Sequence, residues 1–217
     1  MYRAELNQQV LLTICVPVYA TQVFLPTLLS SIQSEVVSFK GKLPSFLQER
    51  FSYIEQDSIN GFLSLISSYK VLFEVIIVDD GTQEKNAKKA IYKSVKEAQK
   101  DFKKNCDADL ILIEHSRNLG LVEARRTAIL EAKGKWCMFV DSDDELPKDS
   151  IMNLLCNACF SKVGIVHGKA RLDVSEARDD LYPREKISRL EESIQNVHLG
   201  VLKDEEILNN FLLEKGH

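Results

Sequence analysis

The sequence predicts an α/β protein built on a mostly parallel sheet flanked by helices. Three observations lead there. Short apolar runs alternate with stretches of helical periodicity over most of the chain, the pattern of strand–helix–strand units. The runs at 11–16, 73–78, 110–113 and 136–140 are almost continuously apolar, as in strands covered on both faces. Two of them run straight into carboxylates, Asp79-Asp80 and Asp141-Ser142-Asp143-Asp144, at the sheet edge where open α/β folds bind ligands.

The first strand ends at Pro17, and Val18-Tyr19-Ala20 forms its exit loop. Thr21 is placed to cap a helix carrying Val23, Leu25, Leu28, Leu29 and Ile32 inward. Residues 33–70 keep a helical but irregular pattern, interrupted at Gly41, Pro44 and Gly61, and predict one or two extra surface helices. Their Phe46, Leu47, Phe51, Ile54, Phe62, Leu63 and Ile66 are expected to face the body. After strand 73–78 and its Asp79-Asp80-Gly81-Thr82 exit, a helix turns Ala87, Ala90, Ile91, Val95, Ala98 and Phe102 inward and its lysines to solvent. Strand 110–113 leads through Glu114-His115-Ser116-Arg117-Asn118-Leu119-Gly120 into a helix over 121–133. Ala124, Ala128, Ile129 and Ala132 point inward there, and Gly134 is its stop. Beyond the carboxylates, Pro147 opens another helix in its first turn. Residues 164–168 read as a fifth strand, 194–198 as a short strand and 204–213 as a capped helix. Right-handed crossovers place all the parallel-strand exits on one edge, so Tyr19, Asp79, Asp80, Asn118 and the carboxylates from Asp141 to Asp144 should converge.

Composition bounds the function. The chain has 217 residues, 45% of them hydrophobic, enough for one sizeable core. A net charge of -4 gives no electrostatic footprint for nucleic acid. No apolar run approaches the ~20 residues of a membrane span, and residues 1–9, with Arg3 and Glu5, carry no signal-peptide pattern. The expected location is the cytoplasm, with peripheral contact at the inner membrane face left open. Five scattered cysteines make no disulfide framework. Cys156 and Cys159 fall at helical spacing among apolar residues and read as buried thiols rather than zinc ligands.

Carboxylates crowded at a strand exit repel one another and resist desolvation. A hard divalent cation, Mg²⁺ or Mn²⁺, relieves that repulsion and can hold a ligand's phosphates. The competing reading is a polar turn capping the next helix.

Taken together, these motifs resemble family 2 glycosyltransferases, with the GT-A nucleotide-sugar-binding fold, over residues 11 to about 168. The family's Pro-x-Tyr-Asn turn corresponds to Pro17-Val18-Tyr19-Ala20, its Asp-Asp-Gly-Ser to Asp79-Asp80-Gly81-Thr82, and its Asn-x-Gly to Asn118-Leu119-Gly120. Ala124-Arg125 and Ala132-Lys133-Gly134 match its next helix, and Asp141-Ser142-Asp143-Asp144 its Asp-x-Asp-Asp. The resemblance implies a nucleotide-sugar pocket formed by Pro17, Tyr19, Asp79, Asp80, Asn118, Arg125, Asp141 and Ser142. Tyr19 and Asp79 would meet the base and Asp141 the ribose, with Asp143 and Asp144 on the Mn²⁺ or Mg²⁺ that bridges the diphosphate. It implies a UDP-linked donor, inversion at the sugar, and an unidentified glycan or lipid-linked acceptor. Ala20 departs from the family's Asn, and the helical insertion at 33–70 is longer than usual.

The expected domain organisation is a GT-A domain over 1–168 and a short, charged, incomplete acceptor segment over 169–217. No Glu-Asp pair set behind an aromatic-rich acceptor segment follows the Asp-x-Asp-Asp strand, so no catalytic base is assigned. Asp204, Glu205 and Glu206 read as helix-capping acids. The alternative expectation is therefore a truncated or inactive nucleotide-sugar-binding module. A haloacid-dehalogenase-type phosphatase is disfavoured because Asp144-Glu145 follows the acid pair in place of Gly-Thr, at mid-chain. A dinucleotide dehydrogenase lacks its Gly-x-Gly-x-x-Gly after the first strand.

Overall fold

A computed structural model describes residues 10–106, 108–161 and 165–166. The chain divides into two compact units, 1–152 and 153–217. The first holds β1 (Val10–Val18), α1 (Leu25–Arg50), α2 (Gln56–Ser68), β2 (Val71–Asp79), α3 (Lys85–Asn105), β3 (Ala108–Glu114), α4 (Leu121–Glu131) and β4 (Gly134–Phe139). The last helix, α5 (Ser150–Ser161), begins in the first unit and continues into the second. Of the strands expected later in the chain, 164–168 falls largely outside the described residues, and Ile165 and Val166 belong to no element. The expected strand at 194–198 and helix at 204–213 also lie outside them.

The four strands form one parallel sheet in the order β3-β2-β1-β4. Side chains alternate across a strand, which separates the two coverings. Phe73 of β2 packs edge-on against Phe39 of α1, ring centroids 5.1 Å apart, and α1 packs on α3. The neighbouring register of β2, Ile76 and Val78, joins Cys15 of β1 beneath Ala124 and Ala128 of α4 on the other face. The chain therefore winds outward from β1 to β2 to β3, then returns over the α4 face to place β4 on the far side of β1. The strand order reverses between β1 and β4, and open α/β sheets bind ligands outside the strand ends at such a reversal.

Several elements differ from the sequence expectation. Strand β1 continues past Pro17 to Val18, with Pro17 paired to Val78. Thr21 does not cap α1. The helix begins at Leu25 with a proline in its first turn, and Phe24 at the cap makes no side-chain bond. Val23 consequently lies in the preceding turn and is exposed. Gly41 and Pro44 do not interrupt α1, because an unbroken buried stripe from Leu28 through Phe39 to Leu47 holds the helix to the body across them. Gly61 likewise lies inside α2, and the break falls at 51–55. Of the insertion's expected inward residues, Phe46, Leu47, Phe51, Phe62 and Ile66 are buried and Ile54 and Leu63 half-buried. Ile129 points outward, since α4 meets the sheet through a narrow stripe of alanines. Gly134 starts β4 rather than ending α4: a Cβ there would collide with the backbone nitrogen of Thr13. Strand β4 alternates between partly buried and exposed positions, because it is an edge of the sheet among the described residues. Pro147 precedes α5 by three positions instead of opening it.

Two buried carboxylates brace this frame. Glu74 in β2 accepts from Thr13 Oγ1 at 2.9 Å and Lys133 N at 3.0 Å, with Lys133 Nζ 3.5 Å away. Glu35, on the buried face of α1, accepts from the amides of Asp149 (2.7 Å) and Ile151 (3.1 Å) and so supplies the cap of α5. Asp149 itself sits at φ 65. Removing a buried acceptor strands its donors, which costs about 1–3 kcal/mol for a neutral group and more for a charged one. Glu35→Ala is therefore expected to lower stability by about 3 kcal/mol, and Glu35→Gln by less. Equal denaturation midpoints for wild type and Glu35→Ala would contradict the bracing role.

No helix among the described residues is long and apolar enough to cross a membrane. Cys156 is buried and Cys159, also expected to be buried, only half-buried; burial pushes the Cys156 thiol up to about 12, consistent with an inert buried group.

Candidate functional site at the strand exits

The exits of β1, β2 and β4 are tied to one another by side chains from the turns themselves. Thr21 Oγ1 lies 2.6 Å from Ser142 Oγ, joining the turn after β1 to the turn after β4. Ala20, in the left-handed region at φ 54, donates its amide to Thr82 Oγ1 at 3.1 Å, joining β1 to β2. Tyr19 projects from this junction and is half exposed. Pro17 sits one pair earlier, buried within the strand.

Asp79 and Asp80 are adjacent but differently employed. Asp79 is 1% exposed. Its Oδ1 accepts the Thr82 amide at 3.0 Å, while Oδ2 is buried with no partner among the described residues. A buried carboxylate oxygen left unpaired is costly, and that makes it a candidate acceptor for a ligand's N–H or O–H. Asp80 is saturated. Its Oδ1 takes the Leu119 amide (2.9 Å) and His115 Nδ1 (2.7 Å), and its Oδ2 takes the Gly120 amide (2.8 Å). Burial alone would raise the Asp80 pKa, but the bonds from His115, Leu119 and Gly120 outweigh it and hold the carboxyl below the ordinary 3.8. His115 continues through Nε2 to Thr127 Oγ1 at 2.9 Å, so one carboxylate orients the 115–120 loop and the start of α4. Gly81, at φ 71, passes so close to Arg117 that a Cβ would overlap its backbone. Asn118 closes the loop on itself, accepting the Gly120 amide at 2.9 Å.

The third wall comes from β4. Arg125 on α4 donates to Asp141 Oδ1 at 2.7 Å, and its guanidinium stands 5.6 Å from the Phe139 ring centroid. Asp144 N donates to Asp141 O at 3.1 Å, folding the carboxylates into a tight turn. Burial, then the charges of Asp143 and Asp141, raise the Asp144 pKa. The crowding that a cation would relieve is therefore present. The described residues contain no preassembled group of three or more His, Cys, Asp or Glu around one point. A Mg²⁺-type ion held by one or two carboxylates and a ligand's phosphates needs none, so Asp143 and Asp144 fit that mode.

The exits thus bring Tyr19, Asp79, Arg125, Asp141, Ser142, Asp143 and Asp144 to one edge. Asp80 and Asn118 also lie at this edge, but their side chains are committed to the loop. Thr82, His115 and Thr127 are not singled out as site residues by the sequence, and Thr21 reads there only as a helix cap. Thr82 stands in the Asp-Asp-Gly-Ser position, a usable signal. The partners of His115 lie 35 and 12 residues away, a pairing that no local pattern encodes.

Residues 52–208 match the family described as "Glycosyl transferase family 2". A teichoic acid poly(glycerol phosphate) polymerase of Staphylococcus epidermidis is 33% identical over 100 residues, covering 46% of this chain and 13% of that protein. Crystal structures of S. aureus TarS 1-349 and of S. aureus TarS superpose on 77% of this chain with TM-scores of 0.43 and 0.42, at 15% and 16% identity. They are covered over 40% and 24% of their own lengths. The chain thus spans a small part of the curated relative and less than half of either solved structure.

Proposed function

Because the chain belongs to glycosyl transferase family 2, we propose that it binds a UDP-linked sugar at the strand exits and transfers the sugar with inversion, with Mn²⁺ or Mg²⁺ as cofactor. One observation carries this reading: a buried, unpaired oxygen of Asp79 and the Asp141–Asp144 carboxylates flank the point where the strand order reverses. Asp79 Oδ2 would accept the base N–H beside Tyr19. Asp141, steadied by Arg125, would take the ribose hydroxyls. Arg125 also brings a fixed positive charge to the diphosphate side of the pocket. Asp143 and Asp144 would hold the cation, which when bound stabilises negative charge on the leaving diphosphate. Asp80 acts one step back, holding the loop and α4 that present Arg125.

The proposed acceptor is a linear polyol-phosphate chain. Support comes from the 33% identity to a protein whose name specifies a poly(glycerol phosphate) product. Attack by an acceptor hydroxyl requires proton removal, and general-base assistance is typically worth 10²–10⁴-fold. No base is assigned in the described residues.

Asp79→Asn tests the donor assignment. The amide can keep the Thr82 bond while presenting an NH₂ group where the free oxygen stood. A charged hydrogen bond is worth about 1.5–3 kcal/mol, so UDP affinity should fall by about 10- to 100-fold while pyrophosphate affinity stays unchanged. Equal weakening of both ligands, or of neither, would sink the role of Asp79 in reading the base.

A further inference from the structure

Helix α3 carries a feature that the donor site does not use. At 3.6 residues per turn, Lys85, Lys89, Lys93, Lys96, Lys100 and Lys103 fall within about 80° of arc and form one ridge along a helix of 21 residues, about 30 Å long. All six are exposed. The helix buries its opposite face, Ala87, Ile91, Val95 and Phe102, so the ridge points away from the body. The acids of α3, Glu97 and Asp101, lie on its flank. Glu97 reaches Lys93 only at 3.9 Å, and Lys88, off the ridge, is the lysine drawn to Glu114 at 3.5 Å.

This arrangement is not what a merely solvated face requires. Like charges at i, i+3 and i, i+4 stand about 5–6 Å apart and destabilise a helix. Interspersed acids would have relieved the repulsion, and the chain has an excess of them, 32 Asp and Glu against 28 Lys and Arg. The ridge also has a defined origin. Lys85 opens α3 just after the Asp79-Asp80-Gly81-Thr82 turn, so the lysines run from the strand exits toward the opposite edge of the sheet.

We infer that the α3 lysine ridge is a docking surface for the acceptor, a linear phosphodiester polymer whose end lies at the strand exits. This rests on the transferase reading above and adds where the acceptor chain is held. Three features favour this partner. The positive charge is single-file, matching a chain with one phosphate per short repeat. All the basic residues of α3 are lysine and none is arginine. Lysine meets phosphate as a point charge, without the bidentate geometry by which arginine fixes a single carboxylate or phosphate, so the ridge attracts a run of phosphates without demanding one register. A bilayer-bound helix would turn a large apolar face to the lipid, and the apolar face of α3 is already buried in the protein.

The test uses the full chain and a fluorescein-labelled poly(glycerol phosphate) oligomer, read by anisotropy across a salt series. UDP titration and thermal unfolding run in parallel. Wild type should bind with an affinity that falls steeply with salt. Lys89→Gln/Lys93→Gln/Lys96→Gln should lose at least tenfold at low salt. Its salt dependence should flatten by about 2 in the log–log slope, at ~0.7 per neutralised phosphate for a single strand. The melting temperature should stay level or rise, because repulsion is removed, and UDP binding should be unchanged. Lys88→Gln, off the ridge, should bind the oligomer as wild type does. Undiminished oligomer binding by the triple variant would overturn the proposal. So would tighter binding of phosphatidylglycerol vesicles than of the oligomer through the same lysines. Oligomer binding that depends on the ridge in a chain that does not bind UDP would refute the donor reading and leave the docking surface standing.

Discussion

Asp80→Ala is expected to destabilise the chain by about 3–5 kcal/mol, the usual result of removing one partner from a buried, hydrogen-bonded ionic group. The Asp80 side chain is 5% exposed, and three polar contacts converge on it, from the amides of Leu119 and Gly120 and from His115 Nδ1, whose other ring nitrogen reaches the hydroxyl of Thr127. Alanine leaves two amides and an imidazole facing a void. Such a loss is a large fraction of the 5–15 kcal/mol that holds a typical domain together. The damage should spread along the 115–120 loop into α4, and hydrogen exchange there should accelerate more than in β1 or β2. The pH dependence follows from the same bonds. The folded carboxyl titrates below its ordinary 3.8, so its contribution is fully present above the unfolded value and is lost as pH falls through the lower folded value. Wild type should therefore lose this increment only in strong acid, and Asp80→Asn should lack it at every pH. Urea midpoints measured from neutral pH down to about 2 decide the matter: curves that stay parallel for wild type and Asp80→Asn to the acid end would show that the carboxylate is not ionised and paired as described.

Asp143→Asn should weaken UDP binding in Mn²⁺ by about 100-fold while leaving thermal stability unchanged or slightly raised. Asp143 is exposed, so losing its charge removes no internal bond of the fold. Its charge is also one of the causes that raise the Asp144 pKa, and neutralising it relieves that strain. The ligand-bound state differs. A hard cation shared between one or two carboxylates and a diphosphate loses much of its hold when one anionic ligand becomes neutral. Calorimetry with Mn²⁺, Mg²⁺ or chelator separates the contributions. Wild type in chelator should resemble the variant in Mn²⁺. Tight UDP binding in chelator, or none of this loss in the variant, would remove Asp143 from the cation site.

The parts of this molecule legible in sequence are those governed by local pattern. Strands β1 and β2 are visible because both faces are covered and their apolar runs are nearly unbroken, and β3 is legible from its Leu110–Ile113 run although it lies at an edge among the described residues and is only partly buried. Strand β4 has the same kind of run, Trp136-Cys137-Met138-Phe139, yet lies at an edge with alternating exposure, because hydrophobicity cannot tell which neighbour is absent. Pro44 read as a break and proved to be interior to α1, where the stripe from Leu28 to Leu47 outweighs one lost backbone bond. Gly134 read as a helix stop, but its absent side chain serves the approach of β4 to Thr13. At the site, the carboxylates announced themselves by sitting at strand ends. The division of labour between Asp79 and Asp80 did not, since it depends on which oxygen the 119–120 amides reach. His115 was invisible for the same reason.

The strand exits of β1, β2 and β4 are proposed to form one nucleotide-sugar site. A crystal structure of the chain with UDP and Mn²⁺ tests it most directly. It should show the uracil against Tyr19 with its N–H on Asp79 Oδ2, the ribose at Asp141, and the metal-bound diphosphate at Asp143 and Asp144. Density for UDP at the opposite edge of the sheet, or at the exits with Asp79 and Asp143 both out of reach, would contradict it.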